Sequence, residues 1–209
     1  MWANRAFLLL MVIMPAASTS ATDDLKIDRW ELTNTKFYDD LSAAAPAGQK
    51  LYRIKRAAAA DEGAERCVKE WQESTARRKP LGAFCQALFS EIAPTFRVVL
   101  HTGETDAVVL QDINIEVKNA SVLKSGHGFF ADEAYYDLFI KAAPGQTSSK
   151  LRQPLKFTTL GSVNLRLGFD LTPLGPDTPS AAIEFILTFD VEGKNGSVSA
   201  KTGLIRIEL

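Results

Sequence analysis

From Phe96 to the C-terminus the apolar residues recur at every second position. A two-residue period sustained over that length restricts this part of the chain to half-buried β-strands. Ile113, Ile115 and Val117 alternate with Asn114, Glu116 and Lys118. Val163, Leu165, Leu167 and Phe169 alternate with Asn164, Arg166 and Asp170, and Ile183, Phe185, Leu187, Phe189 and Val191 with Glu184, Thr188, Asp190 and Glu192. Phe96–His101 and the terminal TGLIRIEL read as two further strands. GKNGS at 193–197 is a Gly and Asn turn, so the chain from Val191 to Leu204 is expected to be a hairpin. HTGETD, KSGHG, APGQTSS and TPLGPDTPS separate the remaining runs.

Upstream, LKIDRWELTNTKF reads as a strand that joins the later sheet, with Ile27, Arg29 and Glu31 on one face and Asp28, Trp30 and Leu32 on the other. SAAAPAG at 42–48 is a loop, and QKLYRIKRAAAA suits a strand or a helix equally. Seven or eight short antiparallel strands with turns at these intervals predict a mainly β fold: an antiparallel, immunoglobulin-like β-sandwich occupying 22–209 as one domain.

The exception to the β pattern lies at about 62–93. Cys67 and Trp71 have helical spacing, and Arg77, Arg78 and Lys79 place cations where a helix C-terminus favours them. Pro80 and Gly82 break the run, and Leu81, Phe84, Cys85, Leu88, Phe89 and Ile92 form a second apolar stripe ending before Pro94. The expectation is a helical hairpin inserted into the β fold. Its two cysteines, Cys67 and Cys85, are the only ones in the chain. Eighteen residues of continuous helix rise about 27 Å, whereas bridged Cα atoms lie within about 7 Å. A disulfide here therefore requires the chain between them to turn back.

A disulfide is the reading that the N-terminus favours. MWANR carries one cation, AFLLLMVIM is a short apolar run and PAASTSA is small-residue, the layout of a secretory signal peptide over 1–21. The expected location is secreted or periplasmic, where disulfides persist. Ala-rich composition leans the chain toward a bacterial source. No segment is apolar enough to span a bilayer, since roughly 20 apolar residues are needed. Without Arg5 the count falls from 24 basic residues to 23 against 25 acidic, a net charge of −2, which lacks the basic excess that nucleic acid demands.

The search for chemistry returns few candidates. GxSxG, HExxH, GxGxxG after a strand, phosphate-loop and calcium-loop motifs are absent, and no cofactor or metal is implied. SVLK at 121–124 matches an SxxK string, but three residues along a strand point opposite ways. The sequons at Asn119 and Asn195 would accept glycans only in a eukaryotic secretory route. SGHGFFADEAYYDLFIK at 125–141 is the richest segment. Alternation puts Tyr136, Leu138 and Ile140 on one face and Tyr135, Asp137 and Phe139 on the other. With the first set in the core, Tyr135, Asp137 and Phe139 form a binding surface with His127 at its rim, suited to a protein or glycan partner. The competing reading makes that face a second core beneath the helices. Function divides in the same way, between a non-enzymatic binding module and a hydrolase drawing acid and base from His127, Asp132 and Glu133.

Overall fold

A computed structural model describes residues 25–55, 66–67, 69–70, 82–104, 106–123, 137–175, 178, 180–194 and 196–209. Residues 1–21, expected to be a signal peptide, and Asn195 lie outside the described residues, as do His127, Asp132, Glu133 and Tyr135. The described chain is mainly β, as the two-residue period requires. In chain order the strands are β1 (Lys26–Leu32), β2 (Tyr38–Asp40), β3 (Lys50–Ile54), β4 (Thr95–His101), β5 (Val108–Val122), β6 (Leu138–Lys141), β7 (Gly145–Phe157), β8 (Leu160–Asp170), β9 (Ala181–Gly193), β10 (Gly196–Lys201) and β11 (Ile205–Glu208).

These strands form two sheets. The smaller runs β1-β4-β8-β6 and the larger β2-β3-β11-β9-β5-β7, with β10 paired to β9. Their apolar faces meet in one continuous core. Phe96, Val98 and Leu100 of β4 and Leu165 and Leu167 of β8 are fully buried from one side; Ile113 of β5, Phe185, Leu187 and Phe189 of β9 and Ile207 of β11 are fully buried from the other. Among the described residues two aromatic contacts join the sheets: Tyr52 meets Phe96 edge-on at 5.2 Å between ring centres, and Phe169 approaches Phe185 at 6.3 Å. The β9–β10 hairpin forms as its turn residues dictate, with Gly193 opposite Gly196 and Val191 opposite Val198.

Three expectations need correction. The sheets are mixed rather than wholly antiparallel, because β3 pairs in parallel with β11 and β6 with β8. Both parallel partners are far apart in sequence, so no tight turn marks the pairing. APGQTSS is not simply a turn, since Gly145 opens the long strand β7. The first half of that strand is polar because it lies on the larger sheet's edge, with Gln146, Thr147 and Ser148 exposed. QKLYRIKRAAAA, open between strand and helix in the sequence, resolves at its start into strand β3.

The third correction concerns the helical hairpin, which the described residues do not support. They contain one α-helix, α1 (Ala83–Ile92), and the helical residues Arg66, Cys67, Lys69 and Glu70 are all that is described of the first limb. The apolar stripe misled because it is only partly used: Cys85 and Ile92 are buried, but Phe84 is 55% exposed. Its ring instead lies under the Arg66 guanidinium at 4.6 Å. Cys67 and Cys85 are disulfide-bonded with Cα atoms 5.2 Å apart, closer than a continuous helix between them would permit. By limiting the unfolded chain this bridge contributes about 3 kcal/mol. Glu70 caps the start of α1, accepting the Gly82 amide hydrogen at 2.5 Å. A carboxylate there also complements the helix dipole.

Strand β1 shows why its pattern was unclear in the sequence. The pairing with β4 sets Ile27 opposite Leu100 and Arg29 opposite Val99, leaving Asp28 as an extra, bulged residue. The bulge shifts the alternation by one, so Ile27, Trp30 and Leu32 share the inward face, opposite Leu100, Val98 and Phe96. Trp30 then stacks on Phe96 at 4.6 Å between ring centres.

The parallel β3–β11 pair is held on its outer face by charge. Arg53 donates to Glu208 at 2.6 Å, Arg206 donates to Glu208 at 3.0 Å and to Glu184 at 2.7 Å, linking β3, β11 and β9. Burial acts to raise the Glu208 pKa, but the hydrogen bonds from Arg53 and Arg206 outweigh it and hold the carboxyl below its ordinary value. Behind this pair the backbones nearly touch. A Cβ on Gly203 would lie 1.9 Å from the Gly48 carbonyl oxygen, a contact that only glycine permits. Gly48 itself has φ +79° in the turn that brings the chain into β3.

Substitutions test this junction. Gly203→Ala should lower stability by about 3 kcal/mol in urea denaturation, while Ser197→Ala on the exposed edge should stay within about 0.5 kcal/mol; equal stability of the two variants would mean the close approach is absent. Glu208→Gln should cost about 2 kcal/mol at pH 7. Because the folded-state pKa of Glu208 is depressed, its contribution is present above the unfolded carboxyl value of about 4.3 and is lost as pH falls through the folded value. The difference between parent and variant should therefore shrink toward pH 3, and a difference that does not change with pH would contradict the ion cluster.

Candidate functional site

The bulge in β1 and a break in the larger sheet together create a cleft. Thr202 bonds to Leu187 twice, its amide donating to the Leu187 carbonyl at 2.9 Å and its hydroxyl accepting from the Leu187 amide at 3.0 Å. Gly203 and Leu204 then leave the ladder, separating β10 from β11. Strand β3 enters at this point, the Lys50 amide donating to the Leu204 carbonyl at 2.9 Å. Between that junction and β1 lies a cleft of about 530 Å³. Ile27, Trp30 and Ile205 form its apolar part, and Ser42, Lys50 and Lys201 its polar part.

Under the cleft sits a buried phenol. Tyr52 is 1% exposed, and burial, with a smaller contribution from the Asp40 charge, pushes its pKa up to about 12. Trp30 and Ser42 lie close enough to the hydroxyl to oppose that shift. The Trp30 Nε1 is nevertheless buried without a partner at proper hydrogen-bond geometry, so its approach to Tyr52 counts as a weak polar contact. Ser42 is fixed from both sides: its amide donates to the Asp40 carboxylate at 2.9 Å and its hydroxyl accepts from the Leu51 amide at 3.2 Å. Tyr52 thus remains a neutral phenol at physiological pH.

Among the described residues the lining of the cleft holds two lysines and no carboxylate, histidine or cysteine. Apolar walls with a few fixed polar groups are the usual composition of a binding cleft. A second hollow of about 500 Å³ lies on the outer face of the larger sheet, around Asn114, Glu116, Gln146 and Thr188. Its polar groups largely satisfy one another. Asn114 and Ser199 both donate to the Asp190 carboxylate, and Lys118 pairs with Glu116.

Of the surface expected from the sequence, Asp137 and Phe139 are described and both are half-buried. They lie at β6, on the far edge of the smaller sheet from β1. Leu138 and Ile140 are fully buried, as alternation requires. The Asp137 carboxylate accepts the Arg166 amide hydrogen at 2.9 Å while its own amide donates to the Arg166 carbonyl at 3.0 Å. This carboxylate therefore extends the β6–β8 pairing. His127 and Tyr135 lie outside the described residues. Sequence reasoning missed the cleft because its walls come from residues near 27, 42–50 and 201–205. The one available signal was the broken alternation around Asp28.

Trp30→Ala should remove the stack on Phe96 and cost about 3 kcal/mol. Lys201→Ala, exposed at the rim, should change stability by no more than about 0.5 kcal/mol. Urea denaturation of both variants checks this, and a Trp30→Ala protein as stable as the parent would mean that the wall of the cleft is not built this way. Comparison with protein-family models, with curated proteins and with solved structures finds no match to this chain.

Proposed function

We propose that the chain is an exported, non-enzymatic protein, an immunoglobulin-like β-sandwich in architecture, that binds a protein or glycan partner. The observation that carries the reading is the cleft beside Trp30, where an aromatic wall and apolar floor adjoin Ser42, Lys50 and Lys201. The Cys67–Cys85 bridge supports a secreted or periplasmic location, since disulfides persist in oxidising compartments. Among the described residues no helix is long and apolar enough to cross a membrane. The surface of Tyr135, Asp137 and Phe139 with His127 at its rim stands second in this reading, because the Asp137 carboxylate is already engaged by a backbone amide.

The test uses the exported protein on glycan and peptide arrays, beside an Ala43→Trp variant that fills the cleft from an exposed position. The expected result is a set of ligands whose affinity falls about tenfold or more in the variant, with the melting temperature unchanged. Arrays without a ligand, or ligands indifferent to Ala43→Trp, would overturn the assignment to this cleft.

A further inference from the structure

Strand β10 leaves one of its edges open. Among the described residues it pairs with β9 alone, in a register that sets Ala200 opposite Phe189 and Lys201 opposite Thr188. In an antiparallel ladder alternate residues turn their amide and carbonyl toward the partner. Thr202 bonds to Leu187, so Ala200, Val198 and Gly196 share its phase and face β9. Ser197, Ser199 and Lys201 therefore direct their backbone groups away from β9, and all three are exposed. On that same side β11 is covered by β3. The larger sheet thus has a notch beside β10, in line with the start of β3 at Lys50.

The side chains around the notch match what an added strand would bring. Ile27, Trp30 and Val198 are only partly buried where they pack against the core. They would be covered by the inward residues of a strand placed beside β10. Lys50 and Lys201 line the adjoining cleft, and among the described residues no carboxylate lines it with them. Lys201 also sees Glu116 on the outer face, where that carboxyl is held low mainly by its hydrogen bond with Lys118. The two lysines, with no carboxylate among the described lining residues, favour an acidic occupant.

We propose that an extended acidic segment of a partner protein, apolar at alternate positions, adds to the open edge of β10 as a further strand. Main-chain hydrogen bonds to Ser197, Ser199 and Lys201 supply affinity, and the seam of Ile27, Trp30 and Val198 selects the alternation. This rests on the reading of the cleft as a recognition site and names the partner's chemistry.

The probe is a fluorescent octapeptide of alternating Glu and Val, with a Lys and Val counterpart, titrated against the mature protein by anisotropy. The acidic peptide should bind about tenfold or more tightly than the basic one. N-methylation of every second amide should abolish binding in one phase and spare it in the other. Ser199→Pro should abolish binding without unfolding the sheet, because proline is tolerated where the amide faces outward on an edge strand. Lys201→Glu, which leaves the backbone intact, should reverse the preference between the two peptides. Binding unaffected by N-methylation in either phase, or by Ser199→Pro in a folded protein, would overturn strand addition. A dimer that Ser199→Pro dissociates and that excludes both peptides would assign the edge to a second copy and also overturn it. Failure of both peptides while array ligands still respond to Ala43→Trp would reject this inference and leave the proposed function standing.

Discussion

The edge-on contact between Phe96 and Tyr52 is where the two sheets hold each other at the cleft end. Phe96 is fully buried on β4 and Tyr52 nearly so on β3, so each ring fills the space that the other's sheet leaves. Trp30 extends the row outward by stacking on Phe96. The position of Tyr52 depends in turn on the parallel pairing of β3 with β11, on the passage of Gly203 against Gly48, and on the Arg53, Arg206 and Glu208 cluster across the outer face. Loss of any of these would move β3, and with it the aromatic row.

The same arrangement produces the open surface. Strand β3 cannot extend along β10, because the turn at Gly48 and the departure of Gly203 from the ladder end their common path. The cleft and the free edge are therefore two consequences of one junction. Burial keeps the Tyr52 phenol neutral, with a pKa of about 12, and so the floor of the junction contributes shape and polarity without charge. Lys50 and Lys201 add positive charge at the rim. A site of this kind selects by backbone pairing, apolar contact and electrostatics together.

Much of the core was legible in the sequence. The inward residues of β5, β8 and β9, such as Ile113, Leu165, Phe185, Leu187 and Phe189, are buried where the two-residue period puts them. The bridge between Cys67 and Cys85 was legible too, from the pairing of the two lone cysteines in a chain whose start reads as an export signal. What escaped had physical reasons. Asp28 is an added residue that inverts the phase of β1, so Trp30 read as the opposite face from Ile27. The start of β7 lacks apolar residues because it forms an exposed edge. The pairing of β3 with β11 joins residues far apart in the chain, such as Tyr52 and Ile207, and no local pattern encodes it. The candidate site lies where such distant segments meet, and its wall includes the strand whose phase the bulge inverts.

Amide hydrogen exchange along β10, resolved residue by residue, tests the central claim that this edge is open beside the cleft. The account expects fast exchange at Ser197, Ser199 and Lys201 and slow exchange at Val198, Ala200 and Thr202, whose amides face β9. Uniform protection through all six positions would show the edge already covered and would contradict the account.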